Sequence, residues 1–210
     1  MGPSGSGKST LMNIIGCLDQ ATKGTFFLDG QDISKCSENE MSDIRLNKIG
    51  FVFQSFHLMP RETAVENVSL PLSYAGVKKK ERRERAIKAL ERVGLGDRVD
   101  FRPTQLSGGQ KQRLAIARAI AKNPKICIFD DSFSALDLKT DAALRGALSE
   151  NVTDSTIIIV AQRISTILHA EQILVLDEGR IVGKGTHEEL LEHCEVYRQI
   201  ADCLLYTSPS

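Results

Sequence analysis

Short runs of apolar residues recur along the second half of the chain, and segments with helical periodicity lie between them. The runs ICIF, TIIIV and ILVL at residues 126–129, 156–160 and 173–176 contain no polar interruption. Continuous apolar runs of this length are typical of strands that are buried on both faces. Strands and helices in alternation predict an α/β fold in which helices flank a mostly parallel sheet.

Turn and capping signals divide the rest of the chain into further elements. TFFL followed by DG predicts a β-hairpin, and Thr186 three residues before Glu189 predicts a capping box at the start of one closing helix. Pro71 is expected to end the helix that starts in ETAVENV, and Gly94 to end the helix of KKKERRERAIKALERV. Helices are also predicted over 8–18, over 37–47 and from the end of LSGGQ to about residue 122, and strands over 49–53 and 180–185.

Composition and charge exclude several classes of protein. Lys plus Arg and Asp plus Glu both number 27, so no global field indicates a nucleic-acid or anionic lipid partner. We interpret the basic run KKKERRER as the solvated face of a helix. The longest apolar run, TIIIVA, is far shorter than the roughly 20 residues of a membrane span. The five cysteines show no metal-ligand spacing, which indicates free thiols in a reducing cytosol.

The motif GPSGSGKS at residues 2–9 fits the pattern G-x-x-x-x-G-K-[ST]. In such a loop successive backbone N–H groups converge on a phosphate, and the following helix adds the positive end of its dipole. Lys8 is expected to reach the β- and γ-phosphates, and Ser9 to bind Mg²⁺. The loop alone leaves kinases, GTPases and many motor proteins as alternatives.

A second glycine-rich turn, LSGGQ, removes most of these alternatives. Ser107 is placed to cap the next helix, and Gly108 and Gly109 let backbone N–H groups approach an anion closely. In isolation the five residues also fit an ordinary helix start. The phosphate loop, Gln54, LSGGQ and ICIFD nevertheless occur together in one order, which favours a joint function.

From residue 2 to about residue 202 the chain resembles the nucleotide-binding domain of an ABC transporter. GPSGSGKST resembles its Walker A loop, FVFQ its Q-loop, LSGGQ its signature, ICIFD its Walker B strand and SALD its D-loop. The resemblance implies a P-loop NTPase fold with a mostly parallel sheet, a small antiparallel part and a helical signature subdomain over about 55–122. It also implies that two such domains enclose two ATP molecules head to tail.

The resemblance implies a role for each motif residue. The cofactor-binding residues that it implies for ATP are Gly2, Ser4, Gly5, Ser6, Gly7, Lys8, Ser9, Thr10, Ser107, Gly108, Gly109, Gln110 and Asp137. Those that it implies for Mg²⁺ are Ser9, Gln54 and Asp130, and Gln54 also contacts the attacking water. The signature residues are expected to act on the ATP of a partner domain, and the Gln54 loop to contact a transmembrane permease domain.

Two catalytic positions depart from the family pattern, which has glutamate after the Walker B aspartate and histidine after the TIIIVA strand. Asp131 and Gln162 stand there. Shortening glutamate by one methylene withdraws the carboxylate by roughly 1.5 Å, and a general base needs contact at about 3 Å. Gln162 can donate a hydrogen bond but carries no charge. We therefore expect an ATPase with Asp131, Gln162 and Gln54 as catalytic residues and an impaired site of its own. Alternatively, Asp131 acts through a water molecule or through a shifted backbone.

The two halves of the chain resemble different ABC classes. LMNIIGCLD and SFHLMPRETAVENV resemble macrolide-export and lipoprotein-release ATPases, whereas DDSFSALD and AQRISTI resemble one half of a heterodimeric exporter. We hypothesise a chimera joined between about 107 and 126. Residues 1–202 are interpreted as one domain that lacks its first strand and the aromatic residue that stacks on adenine, and residues 203–210 as a non-native tail.

Three functions are compatible with these residues. The first is the ATP-hydrolysing subunit of an exporter, located in the cytoplasm at the inner face of the cell membrane and paired with an identical or different ABC domain. The second is a regulatory module that holds ATP and completes the active site of its partner. The third, a DNA-repair or chromosome-type ABC ATPase, requires a long coiled coil, and no heptad run lies between Lys8 and Asp130.

Overall fold

The computed structural model describes residues 1–130, 155–161 and 164–206. The chain forms two compact units. The terminal unit consists of Met1–Ile15 and Val160–Ser210, and the central unit of Gly16–Ile159.

The central unit begins with a small hairpin, in which β1 (Phe27–Leu28) pairs antiparallel with β2 (Gln31–Asp32). Helix α2 (Glu38–Lys48) leads into β3 (Ile49–Val52), and β4 (Ile126–Asp130) runs parallel to β3. Strand β5 (Thr156–Val160) completes a sheet of order β3-β4-β5. The expected hairpin and the parallel pairing are therefore confirmed.

Three helices pack together in the central unit, namely α3 (Ala64–Tyr74), α4 (Lys79–Arg92) and α5 (Gly108–Ile120). Their contact faces supply most of one apolar core, which also includes Val52 and Phe129 from the strands. Leu114, Ala115, Ile116 and Ala117 of α5 are fully buried, so α5 is firmly anchored in this core. Gly94 has a φ of 68° just after α4, as expected for a helix-terminating glycine.

The prediction that Pro71 ends α3 is wrong, because Pro71 lies inside that helix. Proline cannot donate to the carbonyl one turn earlier, but its own carbonyl still accepts a bond from the Ala75 N–H at 3.1 Å. Val68 and Leu72 on either side of Pro71 are at most 1% exposed. The free energy gained by burying Val68 and Leu72 outweighs the cost of the hydrogen bond that Pro71 cannot make.

The terminal unit contains α1 (Lys8–Ile15), β6 (Ile173–Asp177), β7 (Arg180–Gly185), α6 (His187–His193) and α7 (Glu195–Tyr206). Strands β6 and β7 pair antiparallel, so in the described pairings the ILVL run lies outside the parallel β3-β4 pair. The capping box of Thr186 and Glu189 is confirmed. The single closing helix is not, because Cys194 takes an extended conformation (φ −121°, ψ 105°) between α6 and α7.

The buried cysteines Cys17, Cys36, Cys127 and Cys194 are free thiols, and burial raises the pKa of Cys17 and of Cys127. Among the described residues, no helix is long and apolar enough to cross a membrane.

Candidate functional site

The glycine-rich loop of residues 2–7 leads directly into α1 in the terminal unit. The loop is closed by a bond from the Ser6 N–H to the Pro3 carbonyl at 3.3 Å, and the Gly179 N–H of the β6-β7 turn donates to the Ser6 carbonyl at 3.2 Å. A side chain at Gly2 would come within 2.1 Å of the Leu176 carbonyl oxygen. Gly2 is therefore required by close packing against β6.

Several backbone donors of this loop are left unused by the chain. In the part of the chain that the structure describes, the N–H groups of Gly5, Gly7, Lys8 and Ser9 donate to no other protein group. The first turn of any helix has such unpaired N–H groups, and they carry the positive end of the helix dipole. Because these N–H groups lie together at the start of α1, they favour the binding of an anion there.

The Lys8 side chain folds over the loop that precedes it. Its amine donates to the Gly2 carbonyl at 2.9 Å, to the Pro3 carbonyl at 2.6 Å and to the Ser6 hydroxyl at 3.3 Å. Ser6 is 2% exposed, so one of the three partners of the amine is buried. The Lys8 ammonium group therefore lies against the same turn that presents the unused N–H groups.

A cavity of about 800 Å³ opens on this loop. All of residues 1–10 except Ser6 line it, together with Ala161 and with Gln199 and Ile200 of α7. Its volume falls in the usual range of sites for small molecules and cofactors. The predicted residues Gly2, Ser4, Gly5, Gly7, Lys8, Ser9 and Thr10 are thus brought together at one cavity.

The LSGGQ turn lies in the central unit, at the start of α5. Ser107 accepts a bond from the Gln110 N–H at 3.3 Å, and the Gln110 side chain accepts one from the Ser107 N–H at 2.8 Å. This reciprocal capping box confirms the expected cap. Gly108 has no atom within 4 Å of the place where a side chain would begin, so this face of the turn is open.

Gln54 and Asp130 lie at the carboxyl ends of the paired strands, Gln54 two residues after β3 and Asp130 as the last residue of β4. Val52 of β3 is paired with Phe129 of β4, and the two polar residues follow these positions in the chain. Gln54 is exposed and Asp130 is half-buried. Ser9 in the terminal unit and these two residues in the central unit carry only hydroxyl, amide and carboxylate oxygens, the hard ligands that Mg²⁺ prefers. By ligand type, the predicted residues fit the ion.

The segment after Gln54 has an unusual backbone that sequence analysis missed. Phe56 and His57 are consecutive non-glycine residues with φ values of 59° and 44°. Each such residue costs about 1–3 kcal/mol and persists only where its surroundings impose it. The Arg118 guanidinium of α5 donates to both carbonyls, at 2.8 Å to Phe56 and 2.6 Å to His57. Burial lowers the pKa of Arg118.

Three predicted catalytic or nucleotide-contacting residues, Asp131, Asp137 and Gln162, lie outside the described residues. Among the described candidates, the loop of residues 2–10 lies in the terminal unit. Gln54, the LSGGQ turn and Asp130 lie in the central unit.

Comparison with known proteins agrees with these features. The family model described as ABC transporter matches residues 1–134. The chain is 51% identical to the uncharacterized ABC transporter ATP-binding protein YknY of Bacillus subtilis (strain 168) over 183 residues, which is 87% of this chain and 80% of YknY. It is 44% identical over 184 residues to the macrolide export ATP-binding/permease protein MacB of Burkholderia pseudomallei (strain K96243), covering 87% of this chain and 28% of MacB.

Two solved structures share the fold. One is the dimeric post-hydrolysis state of the ATP-binding cassette MJ0796 bound to ADP and Pi, with 41% identity, a TM-score of 0.82, and coverage of 89% of this chain and 83% of that one. The other is a bacterial Atm1-family ABC exporter with ATP bound, with 30% identity, a TM-score of 0.84, and coverage of 100% and 36%. The chain therefore belongs to the ABC transporter family, as an ATP-binding domain with the P-loop cassette fold and homologous to MacB-type ATPases.

Proposed function

We propose that this chain is the ATP-binding subunit of an exporter, and that it binds MgATP at an interface between two ABC domains. The observation that carries the proposal is the loop of residues 2–9, where unused N–H groups, the Lys8 amine and a cavity of about 800 Å³ coincide. A triphosphate is the ligand whose charge and size match this combination.

The loop residues then have distinct roles toward the nucleotide. The N–H groups of Gly5, Gly7, Lys8 and Ser9 donate to phosphate oxygens, and the Lys8 amine exchanges its bonds to the loop carbonyls for bonds to the β- and γ-phosphates. Ser9, Gln54 and Asp130 would hold Mg²⁺. When bound, Mg²⁺ neutralises charge on the β- and γ-phosphate oxygens.

The LSGGQ turn contributes to the nucleotide of a second ABC domain, of the same or another chain. Its support is the open face at Gly108 together with the capping box of Ser107 and Gln110, which fixes the turn without using the glycine N–H groups. The dimeric MJ0796 cassette provides the precedent for such pairing.

A transmembrane permease domain is the second partner in this proposal. MacB is an ATP-binding/permease protein, and the match to this chain covers 28% of it. The half-buried Phe56 and Leu58 and the 47%-exposed Met59 follow Gln54 and form the apolar rim offered to that domain. The subunit then works at the inner face of the cell membrane.

Titration calorimetry of the full chain tests the nucleotide site. We expect binding of MgATP, weaker binding of AMP, and weaker binding of ATP in excess EDTA, since the triphosphate and the ion carry most of the contacts. Equal affinity for AMP and MgATP would contradict a site built around the β- and γ-phosphates.

A second candidate function is a regulatory ATP-holding module, favoured by the identities of Asp131 and Gln162. In this alternative the chain binds ATP, turns it over slowly and completes the site of a partner. The double variant Asp131→Glu and Gln162→His should then raise steady-state turnover by roughly 100-fold or more, because a positioned general base contributes on that scale.

Two measurements keep the turnover experiment unambiguous. Affinity for MgATP should stay within about twofold of the parent chain, and Lys8→Met in the double variant should abolish the gained activity. Unchanged turnover in the double variant with intact ATP binding would reject the regulatory alternative and leave Asp131 competent as it stands.

A further inference from the structure

The turn that carries Gln54 is closed by short local hydrogen bonds. The Phe56 N–H donates to the Phe53 carbonyl at 3.2 Å, and the His57 N–H donates to the Ser55 carbonyl at 2.6 Å. Gln54 lies inside the first of these turns. The course of the backbone at residues 56 and 57 therefore determines where the Gln54 side chain begins.

Backbone preference alone does not hold this turn. Phe56 and His57 both occupy the left-handed region, which non-glycine residues avoid, so an outside contact must impose the conformation. The Phe53 and His57 rings meet edge to face with centroids 4.9 Å apart, but that contact is local to the turn. The long-range polar contact to residues 56 and 57 comes from Arg118.

Arg118 suits this task because its guanidinium is a planar fork with several fixed donors. The two nitrogens donate to consecutive carbonyls, and this pair of bonds defines the relative orientation of the two peptide planes. Arg118 lies on α5, about three turns after Ser107. Because α5 is packed tightly in the core, the fork has a rigid base.

The next segment of the chain is held separately. The buried Asn67 side chain accepts from the Met59 N–H at 2.8 Å and donates to the Met59 carbonyl at 3.1 Å. Asn67 is 1% exposed and fixes the loop from residue 59 onward. Residues 54–58 thus lie between two anchors, and Arg118 is the one next to Gln54.

We infer that Arg118 is a positioning residue, which sets the Gln54 turn through the Phe56 and His57 carbonyls and thereby ties that turn to the helix that begins at the LSGGQ turn. The importance of Gln54 for MgATP rests on the proposed function. The control of the turn by Arg118 does not.

Arg85 provides a matched control. Its guanidinium also donates to a carbonyl, that of Ala121 directly after α5, at 3.2 Å, and among the described residues it makes no hydrogen bond to residues 53–58. Arg118→Met and Arg85→Met therefore each remove one arginine-to-carbonyl anchor of the same region. Arg118→Lys keeps the charge and loses the fork.

Amide hydrogen exchange of the full chain tests the inference without nucleotide. In Arg118→Met, exchange across residues 53–58 should be roughly ten- to a hundredfold faster, which is the scale of a lost bond from a charged donor. Arg118→Lys should lie between it and the parent chain, and Arg85→Met should leave residues 53–58 at the parental rate. Parental exchange in Arg118→Met, or equal acceleration in Arg85→Met, would overturn the inference.

The Mg²⁺ dependence of ATP binding supplies a second readout. The ratio of the ATP affinity with Mg²⁺ to that with EDTA should be lower in Arg118→Met and in Gln54→Ala than in the parent chain. In the double variant this ratio should be no lower than in Gln54→Ala. A normal ratio in Arg118→Met beside a reduced one in Gln54→Ala would overturn the link to Gln54. If the parent chain bound no ATP, the proposed function would fail, and the exchange experiment would still decide the role of Arg118.

Discussion

Residues 2–7 and residues 107–109 are both glycine-rich turns at the start of a helix, but they are stabilised differently. In the first turn the Lys8 amine donates inward to the Gly2 and Pro3 carbonyls, and the β6-β7 turn holds the Ser6 carbonyl. In the second turn Ser107 and Gln110 bond to each other.

The helices that follow the two turns differ in how many of their residues are buried. In α1 only Met12 is buried, whereas α5 buries seven residues. A turn on a well-packed helix is held in place before any ligand arrives, while a loop on a short helix gains order from the ligand it encloses. This contrast favours one turn that encloses a nucleotide within its own unit and one that offers donors outward.

The largest expected effect comes from Lys8→Met. Affinity for MgATP should fall by roughly ten- to a hundredfold, because bonds from a charged donor to phosphate contribute about 1.5–3 kcal/mol. Calorimetry measures the change, with Lys23→Met, an exposed lysine, as the control. Affinity within twofold of the parent chain would show that the first turn does not enclose the phosphates.

The next effect concerns the second turn, where Gly108→Asp should separate dimer formation from binding. The open space at Gly108 accepts a side chain, and a carboxylate at a helix start is favourable, so stability should change by less than about 0.5 kcal/mol. MgATP-dependent dimers should weaken about tenfold or more, because like charges face each other across the interface. Sedimentation velocity checks this.

Two observations control the Gly108 experiment. Gly108→Ala adds a methyl group without charge and should retain more of the dimer than Gly108→Asp does. Affinity of the Gly108→Asp monomer for MgATP should match that of the parent chain, since the first turn is unchanged. An unaltered dimer in Gly108→Asp would argue that the turn faces solvent only.

The smallest expected effect concerns Lys122, which lies just beyond the end of α5. It tests the claim that α5 is anchored. Burial lowers the pKa of Lys122 to about 8, and its amine donates to the Arg45 carbonyl at 2.7 Å. Between pH 8 and 9 the unfolded state binds more protons at this site, so the contribution of Lys122 to stability should rise with pH, by at most about 1.4 kcal/mol per unit. Urea unfolding at both pH values measures the slope.

A second buried group opposes Lys122 at higher pH. Burial raises the pKa of Cys127 to about 11, so from about pH 8 upward the unfolded chain loses a proton that the folded chain keeps. This loss lowers the slope in the parent chain and in Lys122→Met alike. The difference in unfolding free energy between the parent chain and Lys122→Met should therefore rise between pH 8 and 9, and a difference that stays constant would show that Lys122 is not the titrating group.

Local signals in the sequence predicted the elements whose ends depend on neighbouring residues. The Ser107 cap, the Thr186 capping box, the hairpin at Asp29-Gly30 and the stop at Gly94 are all decided within a few positions. The continuation of α3 past Pro71 was missed because long-range burial decides it.

Parts of the site also depend on contacts that sequence spacing does not encode. Arg118 lies 62 positions from Phe56, and only the fold brings them together. The one available signal was a charged residue inside the apolar run LAIARAIA. The roles of Asp131, Asp137 and Gln162, the domain limits at 202 and 55–122, and the join between 107 and 126 stay predictions.

The central claim is that one turn encloses ATP and the other completes the site of a second ABC domain. Mixing Lys8→Met with Gly108→Asp tests it directly, because the first variant keeps an intact LSGGQ turn and the second keeps an intact phosphate loop. In sedimentation velocity with MgATP, we expect mixed dimers that hold one nucleotide, while neither variant dimerises alone. A mixture that stays monomeric where the parent chain dimerises would contradict the claim.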